Sequence, residues 1–466
     1  MAWLVRICSA RRRLSLSAAS FERVADDYVL THAAPSGDVR MKRSRSLYLL
    51  APAPLVLFAW LFVMTGVAFG YAARNDLHVM VRTMELNGID FDFSALGIAW
   101  IGICLLIVVI LGSVSTRTID RDARPINDPG DLSRAVRIAA LGHVITVLIV
   151  IVWILTSAAQ AGGIDRLIAL AAEQETDAAR DIILDNKFFP GMRLLYTGLT
   201  GLGVFGACVF AVNFRSPDRI RKDMAIGISM FIVSAVALSI LPIFLSQRIL
   251  LVEMVLSTFV GASMVAGRPF HLRYAVVLAA LLFAVWSLRE AVTVGPWASE
   301  YSAARIGGEK LLYYLVNDFY NSVTPFSTEF DKTYGVYSFN FLLQFSGADG
   351  VVSNALGDRI VAVERLRAGG VFPAFTAPYV DFSWLGAFLI AGLIVLFTWV
   401  FNRAHRSFAF AVVYGQIGGA MLVTPHVAWY SHHNFTYNIL LTLFICAFIR
   451  RPKPAREPDL GSNGLA

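Results

Sequence analysis

This sequence has few charged residues for its length. Only 16% of its 466 residues are Asp, Glu, Lys or Arg, whereas 57% are hydrophobic. A soluble protein of this length needs polar and charged side chains to cover its exterior, so the composition excludes an ordinary soluble globular protein. Lipid is the other solvent that accepts so much apolar surface, and we therefore predict a membrane protein.

Cysteine is also scarce. The four cysteines are scattered along the chain, at Cys8, Cys104, Cys208 and Cys446. No Cys-x-x-Cys pair and no His/Cys cluster indicates a metal, and no disulfide framework can be read from the spacing. We therefore predict neither a metal site nor a cofactor.

Long apolar stretches are what the chain has instead. A helix needs roughly 20 apolar residues to cross a hydrocarbon core of ~30 Å. We predict an all-α polytopic integral membrane protein of about ten transmembrane helices, with one large outer-face loop subdomain between spans seven and eight. The predicted spans are 47–72, 93–114, 137–159, 191–213, 224–245, 249–267, 271–288, 380–402, 408–424 and 435–449.

Basic residues mark every second connection between these spans. Arg11–Arg13, Arg215–Lys222 and Arg450–Arg456 belong to the basic set, whereas 73–92 and 165–187 are acidic or mixed. The positive-inside rule places the basic set, including both termini, in the cytoplasm. The net charge of +7 is therefore interpreted as a topology signal, and no nucleic-acid partner is predicted.

The spans divide the chain into five predicted segments. The Arg- and Ser-rich head resembles a targeting peptide in composition; the alternative is that the chain truly starts at Met41, just before the first span. The segments are a basic, disordered cytoplasmic head (1–46), spans one to seven (47–288), a large extracytoplasmic loop (289–379), spans eight to ten (380–449) and a disordered cytoplasmic tail (450–466).

The loop 289–379 is far longer than the other connections. Loops beyond about 15 residues are usually functional or disordered, and this one contains aromatic clusters and a helical pattern. The apolar face of that pattern is formed by Val352, Leu356, Ile360 and Val363. We predict a folded cap that covers a site at the membrane surface; a cap with ordinary solvated charges is the alternative.

The chain enters span eight through "GGVFPAFTAPYVDFSWLG", residues 369–386. Pro373 and Pro378 disfavour helix in the residues before them, so we expect no helix before Pro378. Asp381 would then lie in the first turn of span eight, where the positive end of the helix favours a carboxylate. Asp381 is thus either a dipole partner or a functional group.

These residues resemble a known family. "NSVTPF" (321–326), the 369–386 stretch, the short outer turn with Arg248 and the single large late loop are similar to the oligosaccharide repeat-unit polymerases, the Wzy-type polymerases of O-antigen, capsule and exopolysaccharide assembly. Their signature joins an Asn/Thr-Pro-Phe element to Pro-x(n)-Tyr-x-Asp-Phe-Gly-x-x-Gly. Ser383 stands where this signature has its first Gly. The matching residues are Pro373, Pro378, Tyr379, Asp381, Phe382 and Gly386.

The resemblance implies a reaction at the outer face of the cytoplasmic (inner) membrane. A growing glycan on undecaprenyl pyrophosphate donates its reducing-end sugar to a new lipid-linked repeat unit, and the lipid pyrophosphate leaves. Neither nucleotide sugar nor ATP is needed. The implied partners are lipid-linked oligosaccharides, membrane lipid, and a chain-length regulator with other polysaccharide assembly proteins.

That chemistry needs cations for the departing pyrophosphate and contacts for the glycan. Arg248 is the first candidate, because it lies between two apolar spans with almost no loop and must sit near the headgroups. A snorkelling Arg that merely ends a helix is the alternative. The predicted substrate-binding residues are Arg248, Arg289, Arg359, Arg365, Arg367, Asn321, Thr324, Tyr379 and His426.

The acceptor hydroxyl needs a base, and His, Asp or Glu commonly serve. The catalytic candidates are His432, His433, Asp318 and Asp381. Three histidines share the short loop 424–435, but irregular spacing and the lack of a carboxylate there make a weak metal site. Interfacial histidines in an aromatic belt are the alternative to a catalytic role.

Other functions fit parts of the pattern. An O-antigen ligase has the same leaving group and a different acceptor. A lipid-phosphosugar-dependent glycosyltransferase would use acids in the first outer loop, where Asp90 and Asp92 lie. A transporter or flippase is less well supported, because we detect no inverted repeat and few membrane-embedded charges.

Overall fold

The computed structural model describes residues 47–115, 129–172, 177–189, 191–216, 219–245, 249–267 and 300–449, together with 280, 283, 284 and 287. The predicted head and tail, most of predicted span seven, and Arg248 and Arg289 lie outside the described residues. Regular structure in these ranges is helical, without a β-strand. The predicted all-α class agrees with this result.

Sixteen α-helices are named here in chain order. They are α1 (Pro52–Ala72), α2 (His78–Leu86), α3 (Ala95–Ser115), α4 (Pro129–Gln160), α5 (Ile164–Ala172), α6 (Asp177–Asp185), α7 (Met192–Arg215), α8 (Arg221–Leu245), α9 (Ile249–Val265), α10 (Ala303–Val323), α11 (Asn340–Ser346), α12 (Asp349–Glu364), α13 (Thr376–Phe382), α14 (Gly386–Ala404), α15 (Phe408–Leu422) and α16 (His433–Cys446). Short 3-10 turns follow α10 at Thr324–Phe326 and α13 at Ser383–Leu385.

Six helical segments in the described ranges are long and apolar enough to cross a membrane. They coincide with predicted spans one to five and span eight. Their bounds are Pro52–Ala72, Ala95–Val114, Asp131–Gln160, Met192–Phe214, Arg221–Ile240 and Thr376–Ala404. The chain is therefore a helical membrane protein.

Three further predicted spans coincide with shorter helices. Span six corresponds to α9, with 17 residues, span nine to α15, with 15, and span ten to α16, with 14. At 1.5 Å per residue these helices are about 21 to 26 Å long, somewhat short of a hydrocarbon core of ~30 Å. The total of ten spans therefore stays a prediction.

Helix α7 lies at the centre of the helical bundle. Its apolar window is 83% buried, compared with 28% for the windows of α4 and α8. Helices α7 and α8 approach closely through glycine: a Cβ on Gly206 would lie 2.6 Å from the carbonyl oxygen of Gly227. Close backbone approach through small residues is how helices pack in lipid, where the hydrophobic effect does not drive them together.

The predicted outer loop is folded around α10. The Glu309 carboxylate of α10 accepts hydrogen bonds from the backbone N–H groups of Val79 (2.7 Å) and Met80 (3.2 Å) at the start of α2. Arg305 donates to the same carboxylate at 2.7 Å. These contacts satisfy N–H groups that have no partner within α2, and they fix α10 against the connection after α1.

The helical pattern predicted in this loop is confirmed as α12. Of its four apolar positions, Val363 is buried and the other three are half-buried, so the predicted face is the one that packs. The prediction at Pro378 is wrong by two residues, because α13 begins at Thr376. Pro378 is its third residue, in the first turn, where a backbone N–H has no helical partner to lose.

The sequence predicted that Asp381 lies in the first turn of span eight, and this prediction is wrong. Asp381 is the penultimate residue of α13, and a 3-10 turn at Ser383–Leu385 separates it from α14. The positive end of a helix therefore does not explain this carboxylate.

Candidate functional site

Three stretches singled out by the sequence meet in the structure: the end of α10 with its following turn, the chain before span eight, and the loop between α15 and α16. The last two are joined by backbone hydrogen bonds. The N–H of Ala374 donates to Thr424 O at 3.0 Å, and the N–H of Ala428 donates to Phe372 O at 3.1 Å. We call this pairing of 372–374 with 424–428 the backbone seam.

The end of α10 is joined to the seam region by Asn321. Its amide nitrogen donates to Gly369 O at 2.9 Å and to the Asn317 side chain at 3.2 Å, while its amide oxygen accepts from Ala368 N at 2.9 Å. The amide nitrogen and the amide oxygen of Asn321, a predicted substrate-binding residue, are therefore both bonded to the backbone at 368–369. Predicted Thr324 begins the turn after α10 and donates to Tyr320 O at 2.6 Å.

Aromatic rings from the first two long helices support the same region. Phe375 stacks on Trp60 of α1, with ring centroids 5.3 Å apart, and its carbonyl accepts from Trp100 Nε1 of α3 at 2.9 Å. Predicted Tyr379 stacks on Phe326 at 3.8 Å. These contacts show why so many aromatic residues precede span eight: they pack the chain against the helices.

The centre of the region is a carboxylate–imidazole pair. His426 Nδ1 lies 2.8 Å from Asp318 Oδ1. The Asp318 side chain is 8% exposed and the His426 side chain 38%, so the carboxylate is enclosed while the imidazole reaches the surface. When Nδ1 carries the proton, Nε2 is left as an acceptor.

The pKa of both members of the pair is raised, but for different reasons. Burial raises the pKa of Asp318, and the charge and hydrogen bond of His426 only partly oppose this effect. Burial lowers the pKa of His426, but the charge and hydrogen bond of Asp318 outweigh it, so the pKa of His426 is raised from its usual value. An imidazole stabilised in this way is a good proton acceptor near neutral pH.

The two histidines proposed as bases have a different environment. His432 stacks on Trp429 at 5.0 Å and on His433 at 4.3 Å. Burial, followed by the charges of His433 and Arg193, lowers the pKa of His432 to about 3. Burial and the charge of Arg193 lower the pKa of His433 to about 4. Both rings are therefore neutral and weakly basic at pH 7.

His432 also has a structural task. Its Nδ1 accepts a hydrogen bond from the Asn434 N–H at 3.2 Å and caps the start of α16. Side-chain caps of this kind satisfy an N–H group that a helix leaves without a partner. The ring is thus fixed by stacking on one side and by the helix on the other.

Asp381, the remaining catalytic candidate, is fully buried. Its carboxylate accepts hydrogen bonds from Thr333 Oγ1 at 2.6 Å, Ser338 N at 2.6 Å and Tyr337 N at 3.3 Å. All three donors come from one turn of the predicted outer loop. The geometry therefore fastens that turn to α13.

The described cations of the loop are placed differently from one another. Arg359 lies 3.7 Å from Asp331, and Arg367 pairs with Glu364 at 3.0 Å. The Arg365 side chain is exposed. Lys332 lies over the rings of Phe330 (4.0 Å) and Tyr379 (4.8 Å), and burial lowers its pKa. Lys332 was not among the predicted site residues, because a single Lys beside a Thr and a Tyr forms no motif.

The contact between Asp318 and His426 was not predicted either. Asp318 was predicted as a catalytic residue and His426 as a substrate contact, but 108 positions separate them and no periodicity relates them. Only the packing of α10 against the loop after α15 brings them together. Asp90 and Asp92, the acids of the alternative glycosyltransferase hypothesis, lie exposed before α3.

In the described part of the chain, no group of three or more His, Cys, Asp or Glu side chains is arranged to hold a metal ion. The chain matches no protein-family model, no curated protein and no solved structure. The resemblance described above therefore rests on its motif residues alone.

Proposed function

We propose that the protein is a ten-span membrane glycosyltransferase that polymerises lipid-linked oligosaccharide repeat units into a surface polysaccharide. The observation that carries the proposal is the Asp318–His426 pair, 2.8 Å apart, where the three motif-bearing stretches meet. A buried carboxylate that orients a surface-reaching imidazole is the arrangement that a general base requires.

The proposed step moves one proton and exchanges one bond. His426 Nε2 takes the proton from a hydroxyl of the acceptor repeat unit as its oxygen attacks the anomeric carbon of the donor glycan. The bond between that carbon and the pyrophosphate oxygen breaks, and the lipid pyrophosphate leaves with the electron pair. Asp318 stabilises the imidazolium, which then gives its proton to the leaving phosphate or to water.

Cations assist the departure of the pyrophosphate in this proposal. Arg248 and Arg289 keep this role from the sequence, and exposed Arg365 is available to it. Arg359 and Arg367 lie beside carboxylates, which reduces their net attraction for an anion. Hydrogen-bond forks of Arg near the membrane surface match the oxygens of a phosphate group.

The charge pattern supports an outward-facing site at the cytoplasmic membrane. Helix α14 begins at Gly386, beside the site, and ends at Ala404; Arg403 lies in its last turn and Arg406 two residues after its end. If the basic end lies in the cytoplasm, as the positive-inside rule requires, the Asp318–His426 pair lies at the opposite surface. Lipid-linked repeat units assembled inside and moved across the membrane would reach it there.

The test compares lipid-linked glycans in a strain that lacks the gene and carries wild type, His426→Ala or His78→Ala. We expect single repeat units on the carrier without the gene and a ladder with wild type. His426→Ala should reduce polymerisation by roughly 10²- to 10⁴-fold. His78→Ala removes an exposed histidine from the start of α2 and should leave the ladder unchanged.

Two other outcomes would redirect the proposal. Long polymer that stays on the lipid carrier in the deleted strain would indicate an O-antigen ligase, which uses the same leaving group. Long polymer that is correctly attached in the deleted strain would refute both activities. Expression of each variant must be checked by immunoblot, so that absent protein is not taken for inactive protein.

A further inference from the structure

A cavity of about 200 Å³ lies beside the backbone seam, between α12 and the loop before α16. We propose that this cavity binds one sugar ring of the glycan, an inference that rests on the proposed function for the identity of the glycan. Pockets for drug-sized ligands are larger, about 300 to 1,000 Å³, so a single ring is the appropriate size.

The aromatic part of the lining fits a sugar. Tyr337 and Phe372 line the cavity, with ring centroids 5.0 Å apart and planes at 85°. The Tyr337 hydroxyl is buried and has no hydrogen-bond partner in the described part of the chain. A buried hydroxyl without a partner is costly, and a ligand hydroxyl would satisfy it.

Five further polar side chains line the cavity. Glu364 and Arg367 form an ion pair at 3.0 Å, and the other three are Asn340, Ser431 and His432. Arg367 additionally donates to Gly370 O at 2.6 Å, which fixes its position. Carboxylate, guanidinium, amide and hydroxyl groups together offer both donors and acceptors, as the many hydroxyl groups of a sugar require.

The same lining disfavours a phosphate. Glu364 carries a negative charge into the cavity beside Arg367, and buried Asp381 adds a second one nearby. Two carboxylates would repel an anion that approaches one guanidinium group. Arg367 was predicted to bind pyrophosphate or glycan, and the charges around it favour the glycan.

The cavity adjoins the proposed base. Val427 and Ala428, which directly follow His426, form part of its wall. The Ala428 N–H bonds to Phe372 O at 3.1 Å, so this wall is held by the backbone seam. A sugar ring in the cavity would thus position its neighbouring ring near the imidazole.

Binding can be measured without turnover. The probe is the repeat-unit oligosaccharide released by mild acid from the lipid carrier of the host strain, and the method is saturation-transfer NMR on the full chain in lipid nanodiscs. Val371→Trp fills the cavity from an exposed lining position and should abolish the signal. Val351→Trp places the same ring on an exposed Val of α12, away from the cavity lining, and should retain it.

Tyr337→Phe sharpens the assignment, because it removes only the hydroxyl. We expect it to weaken binding roughly two- to tenfold, the effect of one hydrogen bond. His426→Ala should bind like wild type, so a loss of polymerisation there with retained binding separates the two proposals. Retained signal in Val371→Trp, no signal in wild type, or displacement of the oligosaccharide by inorganic pyrophosphate would overturn the cavity assignment.

Discussion

Asp318 and Asp381 are both buried carboxylates in the candidate site, and both were predicted from the sequence to be catalytic. Asp318 contacts an imidazole that reaches the surface, whereas Asp381 accepts three hydrogen bonds from one turn. A carboxylate whose partner can gain and lose a proton supports proton transfer, while one surrounded by fixed donors stabilises a fold. Burial alone therefore does not distinguish the two roles; the partners do.

The largest expected effect is on activity in Asp318→Asn. The amide keeps the size of the side chain and can still accept a hydrogen bond, but it cannot stabilise an imidazolium by charge. We expect the polymerisation rate to fall roughly 10²- to 10⁴-fold with an unchanged melting temperature. Purified protein in nanodiscs and lipid-linked repeat units provide the assay. Unchanged activity would remove Asp318 from the proposed mechanism.

Asp381→Asn should instead reduce stability. One acceptor oxygen is replaced by a donor, so an N–H group of Tyr337 or Ser338 loses its partner inside the protein. We expect unfolding to become easier by about 1 to 3 kcal/mol, measured by thermal unfolding in detergent. Asp331→Asn is the matched control: its carboxylate is 76% exposed, and a change within about 0.5 kcal/mol is expected. If the two substitutions change the free energy of unfolding equally, Asp381 contributes no more to stability than a surface acid.

A smaller, opposite effect is expected two residues after Asp381. Ser383 has φ 56° and ψ −141°, a conformation that glycine adopts readily and other residues do not. This is also the position where the resembling family's signature has Gly. Ser383→Gly should stabilise the protein by about 1 kcal/mol, since it relieves backbone strain. A lower melting temperature would show that the Ser383 side chain contributes more than its strain costs.

The smallest expected effect is on the pH dependence of activity. Neutral His426 is the proposed base, so activity should fall as the pH drops through its pKa, which Asp318 holds above the usual value of about 6.5. In Asp318→Asn the raising charge is gone and burial still lowers the pKa, so the acid limb should move to lower pH. Rates measured from about pH 5 to about pH 9 test this shift. If the acid limb of the pH–rate profile stays where it is, a group other than His426 causes it.

The sequence predicted the helical elements better than the contacts between them. Lipid imposes composition directly, so long apolar stretches such as that of α3 could be identified without a structure. The buried face of α12 followed from its spacing. The start of α13 was missed by two residues, because a proline in the first helical turn is tolerated rather than disruptive.

The candidate site was predictable only in part. Clustering drew attention to His432 and His433, but burial makes both rings weak bases. His426, in the same loop, acquires its partner from a helix more than a hundred positions earlier. No local pattern encodes such a contact, because it depends on how helices pack in three dimensions.

The backbone seam has a mechanical consequence for the proposed reaction. It joins the approach to span eight with the loop that contains His426 through main-chain hydrogen bonds, which no side-chain rotation can release. The seam therefore holds the walls around the proposed base and the cavity together. In the proposed reaction, each elongation would then require the glycan and its lipid carrier to move past these walls.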